Sequence, residues 1–153
     1  IPKTADMTRE EKGLSMRISY TDTDLKPIDP RNLKQGQDFI MAVRVTNTGF
    51  SALGNLALVT LAPPGWEIQN TRLFEASYGI KESAFDYRDI RDDRVSTYFP
   101  LAAGETRTFT MILNAAYKGE YSQPAVWCEA MYTPGCYSRH PGSTVTVSGE
   151  KLE

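Results

Sequence analysis

The chain has 153 residues, of which 41% are hydrophobic and 24% are charged, and its formal net charge is -2. This length suits a single domain with one core, and the composition is ordinary for a globular protein. The slightly acidic balance offers no basic surface for nucleic acid or an anionic membrane, and no apolar run approaches the roughly 20 residues of a membrane span.

The two ends of the chain differ in composition from its middle. Residues 1–13 are polar and have no periodic apolar face, so we predict a linker or leader there. A single domain is predicted over 14–148, with a tail over 149–153. Because Ile1 is neither an initiator methionine nor part of a signal-like segment, we expect the chain to be a piece of a longer polypeptide.

Apolar residues that recur with period two predict strands along most of the domain. The strands predicted in this way are Leu14 to Thr21, Phe39 to Thr46, Leu56 to Ala62, Thr106 to Ala115, Ala125 to Tyr132 and Thr144 to Val147. A hairpin is predicted where two apolar segments, 85–89 and 95–99, flank the charged run 91–94. The segment 22–37 is predicted to be a loop, and 73–80 to be irregular or a short strand.

The turn residues between these strands decide the predicted fold class. Gly, Pro, Asn and Asp separate the short strands, and no segment shows a helical period. We therefore predict an all-β protein, an antiparallel β-sandwich of Ig-like type with seven to nine strands.

Residues that could carry catalysis are scarce. The single histidine, His140, precedes Pro141 and Gly142, so we predict a solvated loop residue. The acidic segment 22–24 lacks the glycine and glutamate of a calcium loop, and no glycine-rich phosphate loop is present. The charged run 88–94 is predicted to form surface ion pairs. The sequence therefore predicts no enzyme activity, no cofactor and no metal site.

The strand predicted over 125–132 has two different faces. Val126, Cys128, Ala130 and Tyr132 point one way, whereas Ala125, Trp127, Glu129 and Met131 point the other. A carboxylate between two large apolar side chains is unusual in a core. The face of Trp127 and Met131 is therefore a candidate contact surface.

Cys128 and Cys136 lie on either side of the turn at 132–135, so a disulfide between them is within reach. If Tyr132 pairs with Cys136 in a regular hairpin, the residue directly opposite Cys128 is His140. A disulfide between the two cysteines would then require an irregular loop instead of this register. Two alternatives stay open. Either the two cysteines form a bond in an oxidising compartment, or Cys128 is buried and Cys136 is an exposed free thiol.

Several local patterns together resemble a known family. They are Pro63-Pro64-Gly65-Trp66-Glu67, Tyr87-Arg88-Asp89 followed by Arg91-Asp92-Asp93-Arg94-Val95, Leu101-Ala102-Ala103-Gly104-Glu105-Thr106, Gly119-Glu120-Tyr121 and Glu129-Ala130-Met131-Tyr132-Thr133-Pro134. Their order resembles the C-terminal macroglobulin-like domain of bacterial alpha-2-macroglobulins over roughly 14–147. Two departures are the Ile90 and Arg91 spacer, where the family often runs Tyr-Arg-Asp-Asp-Arg continuously, and the cysteine pair.

The resemblance implies a function for a longer polypeptide. Such proteins are broad-spectrum periplasmic protease inhibitors, in which cleavage of a bait segment exposes a Cys-Gln thioester that captures the protease. Neither the thioester motif nor a bait segment occurs in this sequence. The implied partners are the thioester domain of the same polypeptide and the target proteases of the full-length protein. Whether a lipid anchor holds that protein at the inner membrane stays open.

The resemblance also implies a role for Met131 and Tyr132, which match the family positions beside the thioester domain and would shield its reactive bond. A regular strand would place these two side chains on opposite faces, so only one could cover the thioester unless the chain kinks before Pro134. The alternative is that Tyr132 packs in the core of its own domain and Met131 is merely a surface residue.

A rival hypothesis is an Ig-like adhesion or carbohydrate-binding module of a secreted or surface protein. Its binding platform would be Trp66 or Trp127, since an exposed indole ring offers a flat apolar surface with a polar edge.

Overall fold

The computed structural model describes residues 10–69, 82–133 and 135–149, and this part of the chain consists of strands and turns. Its thirteen strands are β1 (Glu10–Lys12), β2 (Leu14–Thr21), β3 (Leu33–Lys34), β4 (Asp38–Asn47), β5 (Leu53–Leu61), β6 (Trp66–Ile68), β7 (Tyr87–Ile90), β8 (Arg94–Leu101), β9 (Thr106–Ala115), β10 (Gly119–Gln123), β11 (Val126–Ala130), β12 (Tyr137–His140) and β13 (Ser143–Ser148). The number exceeds the predicted seven to nine, because strands of two to five residues are too short to show a period.

The strands form three sheets. A six-stranded sheet has the order β1-β12-β11-β5-β8-β7, a four-stranded sheet has the order β2-β4-β9-β6, and a small sheet has the order β10-β13-β3. Among the described strand pairs, only β13 with β3 is parallel. Buried residues of all three sheets form one apolar core. The predicted antiparallel β-sandwich is therefore confirmed.

The core follows from the alternation of side chains along the strands. Phe39, Met41 and Val43 of β4 are at most 3% exposed, and they pack with the inward residues of β9 and β5. Trp66 of β6 is also buried, and its ring lies edge-on against Phe39 with the ring centroids 4.9 Å apart. Such edge-to-face aromatic pairs add to the stability gained by burial alone.

The amino-terminal edge of the six-stranded sheet corrects one predicted boundary. Residues Glu10–Lys12, which the sequence pattern assigns to a leader, form β1 and pair with β12. Glu11 anchors this strand, because its Oε2 atom accepts hydrogen bonds from the Ser138 hydroxyl at 2.8 Å and from the Met16 amide at 2.7 Å. The β-sheet therefore begins at residue 10 instead of at the predicted boundary, residue 14. Residues 1–9 and the predicted segment 73–80 lie outside the described residues.

The opposite edge of the same sheet is closed by a buried ion pair. Arg88 of β7 donates to both carboxylate oxygens of Glu82, at 2.8 and 3.1 Å, and the two side chains are only 8% and 9% exposed. The surface ion pairs predicted for the charged run 88–94 are present at Arg91 with Asp89, 3.1 Å apart. The prediction was wrong for Arg88, because the pairing of β7 with β8 turns this side chain inward.

Candidate contact surface at the β11–β12 turn

The turn between β11 and β12 carries the two residues that the sequence singles out. β11 ends at Ala130, two residues before the predicted end, and Met131 and Tyr132 lie in the turn that follows. Met131 is 51% exposed and Tyr132 is 78% exposed. Because these residues are not in a strand, they need not point to opposite faces. The alternative that Tyr132 packs in the core of this domain is wrong.

Hydrogen bonds fix the base of this turn. The Met131 amide donates to the Asn55 carbonyl at the start of β5 at 2.8 Å, and the Ala130 amide donates to the Cys136 carbonyl at 3.0 Å. Immediately before the turn, Cys128 is fully buried and Ala130 is 9% exposed. The turn therefore presents an exposed thioether and an exposed phenol ring on an anchored base.

The register of the β11–β12 hairpin settles where the cysteines lie. Cys128 faces Ser138 rather than His140, so the predicted register was wrong by two residues. Both cysteines are free thiols, and Cys136 is half-buried with its Sγ close to Gly13. In this register Cys136 lies diagonally from Cys128, and diagonal neighbours in an antiparallel pair are roughly 7–8 Å apart, which is beyond the usual Cα separation of a disulfide. The bridge is therefore not formed in this structure.

Burial changes the chemistry of the inner thiol. The loss of solvent around Cys128 raises the pKa of its thiol far above the ordinary value, and the nearby Glu129 carboxylate adds to the effect. A thiol held in its protonated form is a poor nucleophile and a poor metal ligand. Cys128 is therefore an apolar core residue in this fold.

The outward side of β11 belongs to a wider surface. Trp127 is half-buried and Glu129 is exposed, as the period-two pattern predicts. One register row across the sheet contains the apolar or aromatic residues Tyr137, Ala57, Tyr98 and Tyr87. The charged Glu129 lies between Tyr137 and Ala57 in this row, and Lys12 lies at its end. In the next row Trp127 pairs with Val59. We call the six apolar or aromatic residues of these two rows the outer face of the six-stranded sheet.

Most members of the outer face could not be found from the sequence. Tyr87 and Tyr98 stack with their ring centroids 5.8 Å apart, although their strands were identified only as a hairpin. Tyr137 lies in β12, for which no strand was predicted. The available signal was the aromatic side chains of Tyr87, Tyr98, Trp127 and Tyr137, but only the strand order shows that these residues are neighbours.

Two other candidate residues change their roles in the structure. Trp66 is 4% exposed, so the prediction that Trp66 could be the carbohydrate-binding platform was wrong. Trp127, the other candidate for the platform, is half-buried. His140 is the last residue of β12, with its Nε2 atom 3.4 Å from Glu11 Oε2 and its side chain only 14% exposed. The prediction of a solvated loop histidine was wrong, because β12 pairs with both β11 and β1.

Within the three described ranges, no three His, Cys, Asp or Glu side chains come together in an arrangement that could hold a metal ion. The same residues contain no helix that is long and apolar enough to cross a membrane.

Comparison with known proteins identifies the family. A family model described as the bacterial alpha-2-macroglobulin MG10 domain matches residues 13–135. The chain belongs to this family. One relative is the alpha-2-macroglobulin of Xylella fastidiosa strain 9a5c, which is 32% identical to this MG10 domain over 162 residues. The match covers 96% of this chain and 10% of the Xylella protein. A Rickettsia conorii alpha-2-macroglobulin is 27% identical over 132 residues, covering 84% and 7%.

Solved structures share the fold of this MG10 domain. Trypsin-activated alpha-2-macroglobulin from Escherichia coli matches with a TM-score of 0.80 at 19% identity, over 92% of this chain and 11% of that chain. The elastase-activated form matches with a TM-score of 0.81 at 20% identity, over 92% and 13%. The MG10 domain thus spans about a tenth of the relatives it matches, such as the 10% of the Xylella protein.

Proposed function

We propose that this MG10 domain is a non-catalytic part of a broad-spectrum protease inhibitor and that it shields a reactive thioester in a neighbouring domain of the same polypeptide. The observation that carries the proposal is the β11–β12 turn, where Met131 and Tyr132 are both exposed on an anchored base. Membership of the MG10 family supports the proposal, because relatives of this family are named alpha-2-macroglobulins.

The side chains at the turn suit the exclusion of water. Methionine is flexible and polarizable and fills irregular gaps, whereas tyrosine covers a large area with a rigid ring. A thioester is lost when water or an amine attacks its carbonyl carbon and the thiolate leaves. Closing the approach to that carbon with Met131 and Tyr132 would slow the reaction without any chemistry by this domain.

The same arrangement would allow rapid release. A cover supplied by another domain is removed by rigid-body movement, which needs no local unfolding. Bait cleavage in the full-length protein would separate the two domains and expose the thioester to the captured protease. The target proteases and the periplasmic location belong to this proposal.

The test uses methylamine, a small amine that opens thioesters; a Salmonella alpha-2-macroglobulin has been solved after reaction with it. In the full-length polypeptide, Tyr132→Gly and Met131→Gly are each expected to speed the release of the thioester thiol. An increase of about tenfold needs only about 1.4 kcal/mol of lost shielding. Thiol release is followed with a chromogenic disulfide reagent.

Tyr117→Gly is the matched control, since Tyr117 is 54% exposed and lies between β9 and β10 rather than in the β11–β12 turn. Its rate should equal that of the unmodified protein. Unchanged rates for both Met131→Gly and Tyr132→Gly would remove the shielding role.

One observation supports the rival function, an adhesion or glycan-binding module. Trp127 lies on a partly exposed outer face together with tyrosines, which is a common arrangement for stacking on sugar rings. Only this rival predicts binding by the isolated 153-residue chain. A glycan array probed with that chain distinguishes the two, and a specific signal lost in Trp127→Ala would favour the rival.

A further inference from the structure

One carboxylate oxygen joins three strands at the amino-terminal edge of the six-stranded sheet. Glu11 Oε2, on β1, accepts hydrogen bonds from the Met16 amide of β2 at 2.7 Å and from the Ser138 hydroxyl of β12 at 2.8 Å. His140 of β12 brings its Nε2 atom to 3.4 Å from the same oxygen. The side chains of Glu11 and His140 are 23% and 14% exposed, so water and salt screen their contact only in part. This oxygen therefore fastens β1 to both β2 and β12.

The contact with His140 differs from the other two because its donor can change its charge. An imidazole group gains a proton between pH 8 and pH 5, whereas an amide and a serine hydroxyl do not titrate in this range. A neutral ring carries a proton on one nitrogen only, but an imidazolium ring donates from both. Charge-assisted hydrogen bonds contract to about 2.7–2.9 Å and are about twice as strong as neutral ones. The separation of 3.4 Å leaves room for such a contraction.

We propose that Glu11 and His140 form a proton-dependent latch, which holds β1 on the sheet more firmly in mildly acidic than in mildly alkaline solution. Protonation of His140 converts a neutral contact into an ion pair with the Glu11 carboxylate. Because linkage is reciprocal, a closed latch also favours the protonated ring. The latch goes beyond the shielding function proposed above and does not depend on it.

The other ionisable groups near His140 are engaged elsewhere or lie on the opposite face. Asp29 and Arg31 line the same cleft as His140, but they pair with each other at 3.1 Å and are 43% and 70% exposed. The Tyr20 hydroxyl, also in this cleft, accepts a hydrogen bond from Gln123 at 2.6 Å. The remaining charged residues of the surrounding strands occupy exposed, outward positions, namely Glu10 and Lys12 of β1, Arg17 of β2, Glu129 of β11 and Arg139 of β12. Among the described residues, Glu11 is therefore the carboxylate that faces His140.

The position of β1 makes its attachment a sensitive point of the fold. This strand has three residues and lies at the edge of the sheet, where it pairs with β12 alone among the described strands. Short edge elements open more easily than the rest of a domain. β12 in turn pairs with β11 and closes the turn that bears Met131 and Tyr132. A firmer β1 therefore also supports the strand on which this turn rests.

The first test is an NMR titration of the 153-residue chain, which has a core of its own. His140 is the single histidine of the chain, so its imidazole signals are identified directly. Glu11→Gln should lower the pH at which these signals titrate, because a neutral amide cannot form an ion pair with imidazolium. Asp29→Asn is the matched control, since it removes a carboxylate from the cleft that pairs with Arg31 instead. An unchanged midpoint in Glu11→Gln, or an equally large fall in Asp29→Asn, would overturn the latch.

The second test is amide hydrogen exchange at pH 8 and pH 5.5, with each rate divided by its intrinsic value at that pH. Protection of the β1 amides should be several-fold higher at pH 5.5 in the unmodified chain and should not change with pH in His140→Gln. Ser138→Ala should keep the pH dependence, because it retains both the imidazole and the carboxylate. Equal protection at the two pH values in the unmodified chain, or a pH dependence that persists in His140→Gln, would contradict the proposal. If His140→Gln also loses protection in β4 and is therefore misfolded, the unmodified chain and the titration decide.

Discussion

Two regions of this MG10 domain differ in which side chains they bury and which they leave exposed. At the β7 edge the charged Arg88 is drawn inside, where Glu82, the Thr97 hydroxyl and the Phe85 ring surround its guanidinium. At the β11–β12 turn the apolar Met131 and Tyr132 stay outside. The domain therefore satisfies a buried charge while leaving large apolar groups exposed.

The largest expected contrast lies within the β11–β12 hairpin itself. Cys136 is half-buried and should react with a thiol reagent in the native protein, whereas Cys128 should react only after unfolding. Opening a domain costs about 5 kcal/mol or more, so the two rates should differ by at least about a thousandfold. Mass spectrometry of pulse-labelled peptides measures both rates. Comparable native rates would show that β11 is not anchored.

The pH dependence of the same thiol follows from its burial. Because the folded pKa of Cys128 is raised, the unfolded chain releases this proton first as the pH rises. Folding stability should therefore be fully present below the ordinary thiol pKa and decrease above it. Denaturant unfolding at pH 8 and pH 10 should show a smaller decrease in Cys128→Ala than in the unmodified chain.

The buried ion pair gives the next largest effect. Arg88→Met leaves the Glu82 carboxylate buried, with the Thr110 amide as the donor that remains among the described residues, and removing one member of a buried pair costs about 3–5 kcal/mol. The control Arg91→Met, on the same hairpin, breaks an exposed pair and should cost about 0–1 kcal/mol. Urea unfolding measures both values, and similar values would mean that the β7 edge is open to water.

The smallest expected effect concerns the exposed turn. Tyr132→Gly should change the free energy of unfolding of the 153-residue chain by less than about 0.5 kcal/mol, because this side chain is 78% exposed. Thermal or urea unfolding of the isolated chain checks this value. A loss of 2 kcal/mol would show that Tyr132 stabilises its own domain, and any change in methylamine inactivation would then need another explanation.

The outcome of the sequence predictions depends on the distance over which each pattern acts. Period two along β4 and β9 placed Phe39, Met41 and Phe109 in the core, because alternation is a local property of an extended chain. Short strands such as β3 and β12 were missed, since two to four residues cannot show a period. The site residues Met131 and Tyr132 were identified by family resemblance, and their shared exposure was not predicted.

The sequence by itself determined the all-β class, the inward faces of the long strands and the presence of a turn after β11, although it placed Met131 in the strand. These features depend on neighbours along the chain, where backbone geometry fixes which side chains share a face. Only the tertiary structure decided that Arg88 is buried, that Cys128 faces Ser138, and that strands distant in sequence form one outer face. Strand order and register set these contacts, and both depend on hydrogen bonds between distant segments that no local pattern encodes.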